Sequence, residues 1–525
     1  MSLRQLLFRR KKNKQANKTT EKELFQDESI EKNFYRDLET NKSEINKLFV
    51  QTFDFEMKDI KLGKQKACIC YLESMLDTNE LSNKVLNSIN KSISHEINDI
   101  ETVRDEFFPT VPYQYVENLH QVTWNVLNGQ AVLLVDGITK ALTFKIGGTE
   151  QRAITEPSTQ TILRGPKDGF IEDISTNISL IRKRIKNPRL KFERYHLGTD
   201  TKTTVNISYI ENITNQDILD EVRKRIKKIE VGGVLDSGNI EEFITDKTLT
   251  PFPLVFNTER PDTIAGHLLE GKVAIMIDGS PFALSVPGVL VDFFESSEDY
   301  YQPYFMASFI RMVRYISFMI ALVLPSLYVA LSTYHHELMP TQLLISIQAQ
   351  REGVPFPAVI EILVMELTFE ILREAGIRMP RAVGQTVSIV GALVIGQAAV
   401  EAGLVSNVLV IIVALTAIAS FVSPIYNFSI STRLLRFILI LMAAGLGLYG
   451  ILLFLILMVI HLVSLRSFGI PYLTPVAPFQ LTEQKDVFVR FPIWSNKRRP
   501  TYLKTKSPIK IKGNPSPSPP TSDNG

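Results

Sequence analysis

The chain has 525 residues, 45% hydrophobic and 22% charged, with 58 Lys and Arg against 55 Asp and Glu. A formal charge of +3 supplies no global basic field and points away from nucleic acid as the main partner. Long apolar runs are concentrated at 316–465, which excludes a wholly water-soluble enzyme.

Residues 1–44 read as a basic arm, disordered or helical, with eight Lys and Arg and two acids between Arg4 and Glu23. They lack the apolar core and small-residue cleavage site of a secretory signal, so export of this region is not expected. Cys68 and Cys70 are too few for a disulfide framework and suit a reducing compartment. Their alternation on a strand puts both thiols on one face, and core packing is preferred over a metal site, which needs further ligands.

Beyond the arm lies a repeat. CICYLES at 68–74 matches NISYIEN at 206–212 at an offset of 138, and GQAVLLVDG at 129–137 matches GKVAIMIDG at 271–279 at an offset of 142. Two matches in the same order mark a duplicated fold unit, read as two α/β lobes at 45–155 and 160–295. In each, helical spacing follows a strand: Leu81, Val85, Leu86 and Ile89, then Ile218, Val222, Ile226 and Ile229, with Asp217 as N-cap. Asp136-Gly137 and Asp278-Gly279 sit between β-rich runs as type I′ turn signals. Turn formation is therefore favoured over a pair of catalytic carboxylates.

Gly147-Gly148 and Gly232-Gly233 lack the spacing of a phosphate-cradling loop. By this reading the chain carries no catalytic, cofactor-binding or metal site, and a non-enzymatic role is expected. The basic runs at 181–191 and 222–228 read as solvated helix faces, with anionic headgroups as the alternative contact.

A membrane domain is expected at 305–466. Residues 316–332 are uncharged and flanked by Arg311 and Arg314, with Pro325 inside. Glu361, Glu366 and Glu370 interrupt the apolar helix at 358–375, which suits a helix packed in a bundle, lying in the interface or lining water. Residues 385–402 and 408–426 divide at 403–407, and 437–465 carry no formal charge. The last run is either one overlong tilted helix or a hairpin folded at Gly445, Gly447 and Gly450. Arg433, Arg436 and the basic tail at 467–525 would share the cytoplasmic side in the hairpin version. About five membrane segments are expected, with four to six as bounds, and the tail is expected to be disordered from about 500. His335-His336-Glu337 lacks metal-site spacing and reads as a membrane-flanking loop.

Small and polar residues cluster in SIVGALVIGQAAVEAG at 388–403. Close helix packing accounts for the small ones, while Gln397 and Glu401 facing inward could line a water-filled pore. Both readings stay open.

RGPKDGFIED at 164–173, TERPD at 258–262, GKVAIMIDGSPFALSVP at 271–287 and SSEDYY at 296–301 carry a resemblance. REGVPFPAVIE at 351–361, LREAGIRMP at 372–380 and VGQTVSIVGALVIGQAAVEAG at 383–403 extend it. In this combination and order the chain resembles the A subunits of GerA-type spore germination receptors, over roughly 50–490. The resemblance implies a transporter-like B subunit that binds the germinant, a lipoprotein C subunit, and a place in the spore inner membrane with lobes and tail cytoplasmic. It implies a homo-oligomer acting as a nutrient-gated cation channel, or an accessory ion-release channel. Under it, Val394, Gln397, Val400 and Glu401 are the candidate pore-lining residues, with Val394 or Val400 as an apolar constriction. Arg351, Glu361, Glu366, Glu370, Arg373 and Arg378 are candidates for coupling lobe movement to the membrane helices. The competing readings are an alternating-access transporter, with the three glutamates as a cation path, and a non-conducting scaffold.

Overall fold

The computed structural model describes residues 33–90, 99–146, 155–380, 394–481, 483–511 and 513. The arm to residue 32, Gly147-Gly148, residues 385–393 of the candidate pore helix and the tail beyond 513 lie outside the described residues.

The repeat is a repeat of topology. Strands β1 (Phe55–Leu62), β2 (Gln65–Leu72), β3 (Tyr113–Val116), β4 (Ala131–Val135) and β5 (Ala141–Phe144) form a sheet in the order β1-β2-β4-β5-β3. Strands β6 (Leu190–Leu197), β7 (Thr203–Ile210), β8 (Phe256–Thr258), β9 (Val273–Ile277) and β10 (Ala283–Val286) repeat it as β6-β7-β9-β10-β8. The central strands are buried on both faces, so their alternate residues feed two separate cores. Ile69, Tyr71 and Leu133 enter one cluster with Phe107 and Phe144. Cys68, Cys70, Val132 and Leu134 enter the other. There burial raises the Cys68 thiol to about 12 and pushes Cys70 well above the usual thiol value.

Helices α1 (Leu38–Phe49), α2 (Ile100–Phe107), α3 (Leu119–Leu127), α4 (Ile174–Arg184), α5 (Gln216–Lys227), α6 (Ser237–Ile244) and α7 (Pro261–Glu270) accompany the sheets. Asp37 caps α1 and Asp173 caps α4 at corresponding places. The cap of α5 is Asn215, two residues before Asp217, because the Asn215 side chain accepts the Asp217 amide.

The Asp-Gly turns are also duplicated. Asp136 and Gly137 amides donate to Lys66 O and Arg36 O, at 2.9 and 2.8 Å; those of Asp278 and Gly279 donate to Thr204 O and Glu172 O, at 3.0 and 2.8 Å. Only the glycine of each pair takes a positive φ, 81° and 84°, so these are not type I′ turns, which require two.

In the basic run at 181–191, Lys183 and Lys186 are exposed as a solvated face requires, but two cations depart from that expectation. Arg182 is buried and holds Asp54 through Nε and Nη2 at 2.8 and 2.6 Å. Lys191 is buried too, donating to Leu48 O at 2.8 Å, and burial lowers its pKa.

The chain divides into two compact units, 1–154 with 173–195 and 206–211, and 155–172 with 196–205 and 212–525. Among the described residues, the second contains the α-helices beyond residue 300: α8 (Tyr304–Thr333), α9 (Thr341–Arg351), α10 (Ala358–Arg378), α11 (394–401), α12 (Asn407–Phe421) and α13 (Tyr426–Ser464). Two of them, α8 and α13, are long and apolar enough to cross a membrane. Their shared core includes Leu322, Val329, Ile362, Leu409, Leu439 and Ile440.

The 39 residues of α13 are a hairpin. Gly447 breaks the helix at φ 61° and ψ −141°, and a Cβ on Gly450 would overlap the Met442 carbonyl. The two ends return to one place: Ser431 donates to Pro251 O, and His461 Nε2 lies 2.9 Å from Thr250 Oγ1. A straight helix would hold residues 431 and 461 about 45 Å apart. At the tip, Tyr334 from the end of α8 donates to Ala444 O at 2.7 Å.

The tail does not dissolve at 500. Leu503 is fully buried, and the Lys506 amide donates to Ile213 O at 3.0 Å. Spin labels on Tyr426→Cys and Ser464→Cys should lie within about 25 Å by double electron–electron resonance, as two packed arms require. A continuous helix would give about 57 Å.

Candidate functional site

A charge placed among apolar helices is tolerated when it is paired, so α10 should find cations. It does. Glu366 Oε2 meets Arg436 Nη1 at 2.6 Å with both side chains 1% exposed, and Arg436 Nε donates to Ala321 O on α8 at 2.7 Å. Glu370 Oε2 meets Arg433 at 2.5 Å and Arg373 approaches its other oxygen at 3.8 Å. Arg373 also donates to Ser420 Oγ at 2.6 Å and lies over the Phe421 ring. Glu361 faces Arg351 at 3.3 Å and accepts the Ser406 amide at 3.3 Å. Through Glu361, Glu366, Glu370 and Arg373, α10 is tied to α9, to both ends of α12 and to the first arm of α13, whose Arg436 reaches α8.

A second cluster sits where α8 leaves the lobe. Arg311 is fully buried and bonds Asp299 at 3.2 Å, Glu295 at 3.3 Å and Asp486 at 3.1 Å. Arg314 shares Asp299 at 2.7 Å. Tyr300 donates to Asp486 Oδ2 at 3.1 Å. Burial pushes the Glu295 and Asp486 carboxyls up, against the pull of Arg311. These acids line a cavity of about 310 Å³ together with Glu270, Asp292 and Tyr502.

The candidate pore residues divide by face. In α11, Val394 is 55% exposed, and Gln397 and Glu401 are exposed beside it on the same helix face, with Gln397 Nε2 donating to Glu401 Oε1 at 2.8 Å. Val400 points the other way, packing with Ala399 against the bundle core. Of the coupling candidates, Arg351, Glu361, Glu366, Glu370 and Arg373 are brought into buried or half-buried pairs. Arg378 instead pairs with Glu374 one turn earlier on the surface, at 77% and 56% exposure, where such a pair contributes little.

The family described as Bacillus/Clostridium GerA spore germination protein matches residues 43–502. The chain belongs to the GerA spore germination protein family. Its relatives include spore germination protein KA of Bacillus subtilis, 45% identical over 477 residues and covering 90% of this chain and 88% of that one. An uncharacterized membrane protein, YfkQ, of the same organism is 46% identical over 435 residues, 83% of this chain and 85% of its own. Spore germination protein GerLA of Bacillus cereus is 42% identical over 456 residues, 86% and 93% of the two chains. Among solved structures, the N-terminal domain of the A subunit of the Bacillus megaterium spore germinant receptor GerK3 aligns at 31% identity and a TM-score of 0.40. That alignment covers 49% of this chain and 98% of that one.

In this GerA-family chain the arginines were the residues that sequence reasoning missed. Arg311, Arg314, Arg433 and Arg436 look like the cationic flanks of spans, yet Arg311 and Arg436 are among the most buried side chains. A signal existed: three glutamates within one apolar helix demand cations, and RLLR at 433–436 puts two on one face of the next long helix. Each of the three glutamates considered as a cation path meets an arginine.

Glu366→Leu and Arg436→Met should each destabilise the protein by about 3–5 kcal/mol by leaving a buried charge alone. The double substitution should cost less than the sum, read as a coupling term in thermal unfolding of the purified protein. Arg378→Ala should stay within about 0.5 kcal/mol.

Proposed function

We propose that this chain is the membrane-embedded A-type subunit of a spore germinant receptor, which oligomerises into a cation channel whose opening releases ions and triggers germination. The observation that carries the channel reading is the face of α11. Glu361, Glu366 and Glu370 each meet an arginine, whereas Glu401 is exposed on a small-residue helix with Gln397 and Val394 beside it. Around a symmetry axis, that face would place a ring of acids and a ring of valines along one path, which suits cation selection and closure by dewetting.

The remaining parts of the reading follow from the family. A transporter-like B subunit would bind the germinant, a lipoprotein C subunit would complete the receptor, and the assembly would lie in the spore inner membrane. The helices between 304 and 464 would span or re-enter that membrane about five times, with lobes and tail on the cytoplasmic side. The two apolar helices α8 and α13 support membrane insertion. The Arg311 cluster and the α10 pairs form a continuous chain of contacts from the lobe through α8 to α10, by which lobe movement would reach α11.

Cation leak from liposomes carrying the inserted, oligomeric chain tests the channel. Val394→Ala should raise the leak by widening the constriction, and Glu401→Gln should lower cation preference. Val400→Ala, facing the bundle, should lower stability with a smaller effect on leak. Unchanged conductance in all three would reject the pore and leave the scaffold reading.

A further inference from the structure

The segment at 483–499 presents an apolar surface that the helix bundle leaves uncovered. Phe488, Phe491 and Trp494 are 46%, 44% and 39% exposed, and Ile493 between them is 54% exposed. Beside them α8 leaves Phe305 and Phe309 at 75% and 64%, one turn apart on the same side.

The segment is joined to α8 through Tyr315, Ser308 and Arg311. Phe488 lies 5.1 Å from the Tyr315 ring. Ser308 Oγ donates to Arg490 O at 3.0 Å and accepts the Arg490 amide at 3.1 Å. Arg311, on the same helix, donates to the carbonyls of Asp486 and Val487. The aromatic side chains are thus displayed from a fixed backbone.

Charge says what covers them. Within 483–499 there are five Lys and Arg, among them the exposed Lys485, Lys497 and Arg498, and two acids, Glu483 and Asp486, the second of which Arg311 already engages. A second copy meeting this patch with its own would oppose like charges across a two-fold interface. Aromatic rings mixed with cations and continuous with the flank of a membrane-length helix fit the headgroup layer.

We propose that the segment at 483–499 is an interfacial anchor for an anionic lipid surface, seating Phe488, Phe491 and Trp494 at headgroup level. The anchor fixes the lobe end of α8 relative to the bilayer, with Lys485, Lys497 and Arg498 beside the lipid phosphates. It rests on the membrane reading above.

The chain has two tryptophans, so Trp124→Phe leaves Trp494 as a single reporter in the full chain. Its emission is read in vesicles of phosphatidylcholine and phosphatidylglycerol brominated near the headgroup end or near the methyl end of the acyl chain. The anchor predicts at least about twofold quenching by the shallow bromine, less by the deep one, and protection from iodide. Quenching should weaken in vesicles without phosphatidylglycerol. If Trp124→Phe fails to fold, the quenching that Trp494→Phe removes from the parent protein gives the same quantity by difference.

Protein that floats with the vesicles while Trp494 is open to iodide and untouched by bromolipid overturns the anchor alone. Trp494 shielded from both, but opened to iodide by diluting protein in the bilayer, assigns the patch to a second copy and also overturns it. Protein that does not float overturns the anchor together with the membrane reading.

Discussion

The pairing of charge inside an apolar bundle is the constraint on which the rest of this structure turns. Two ions taken out of water recover their solvation only through good geometry and further hydrogen bonds. The Glu366–Arg436 contact has the geometry, and Arg436 adds a bond to Ala321 O, while Glu366 Oε1 and Arg436 Nη2 stay buried without a partner. Because Arg436 sits on α13, Glu366 on α10 and Ala321 on α8, one guanidinium sets the mutual register of three helices. Glu361 extends the same logic to α9 and the start of α12, and Glu370 adds a second tie to α13 through Arg433.

A bundle held this way suits switching better than one held by apolar contact alone. Packed apolar cores already favour discrete arrangements over continuous sliding, and a buried ion pair, either made or broken, widens the energy gap between them. The Arg311 cluster imposes a similar condition at the lobe. Glu295 and Asp299 precede α8 and Asp486 comes from the tail, so displacement of either would strand a buried charge.

Much of the fold was legible because it obeys short periods. The matches of 68–74 to 206–212 and of 129–137 to 271–279 announced a duplicated α/β unit, which the structure shows as two sheets of the same strand order, and the glycines at 445–450 carried the hairpin as one of two readings. Other features needed three dimensions. Arg182 lies in a run that composition assigns to solvent, but its partner Asp54 is 128 residues away. The tail beyond 500 has a disordered composition, yet Leu503 is buried. The site was half legible: helical spacing puts Val394, Gln397 and Glu401 on one face, but only packing showed that Val400 faces the other way, against the bundle core.

The central claim is that the exposed face of α11 meets its own copies around an axis. Cross-linking of single cysteines in membranes tests it most directly, since Cys68 and Cys70 are buried. Gln397→Cys, on the face assigned to the axis, should give a ladder of cross-linked oligomers with a short bismaleimide. Ile418→Cys, exposed on α12, is the control and should remain monomeric. A monomeric Gln397→Cys beside a cross-linked Ile418→Cys would contradict the account and move the contact between copies to another face.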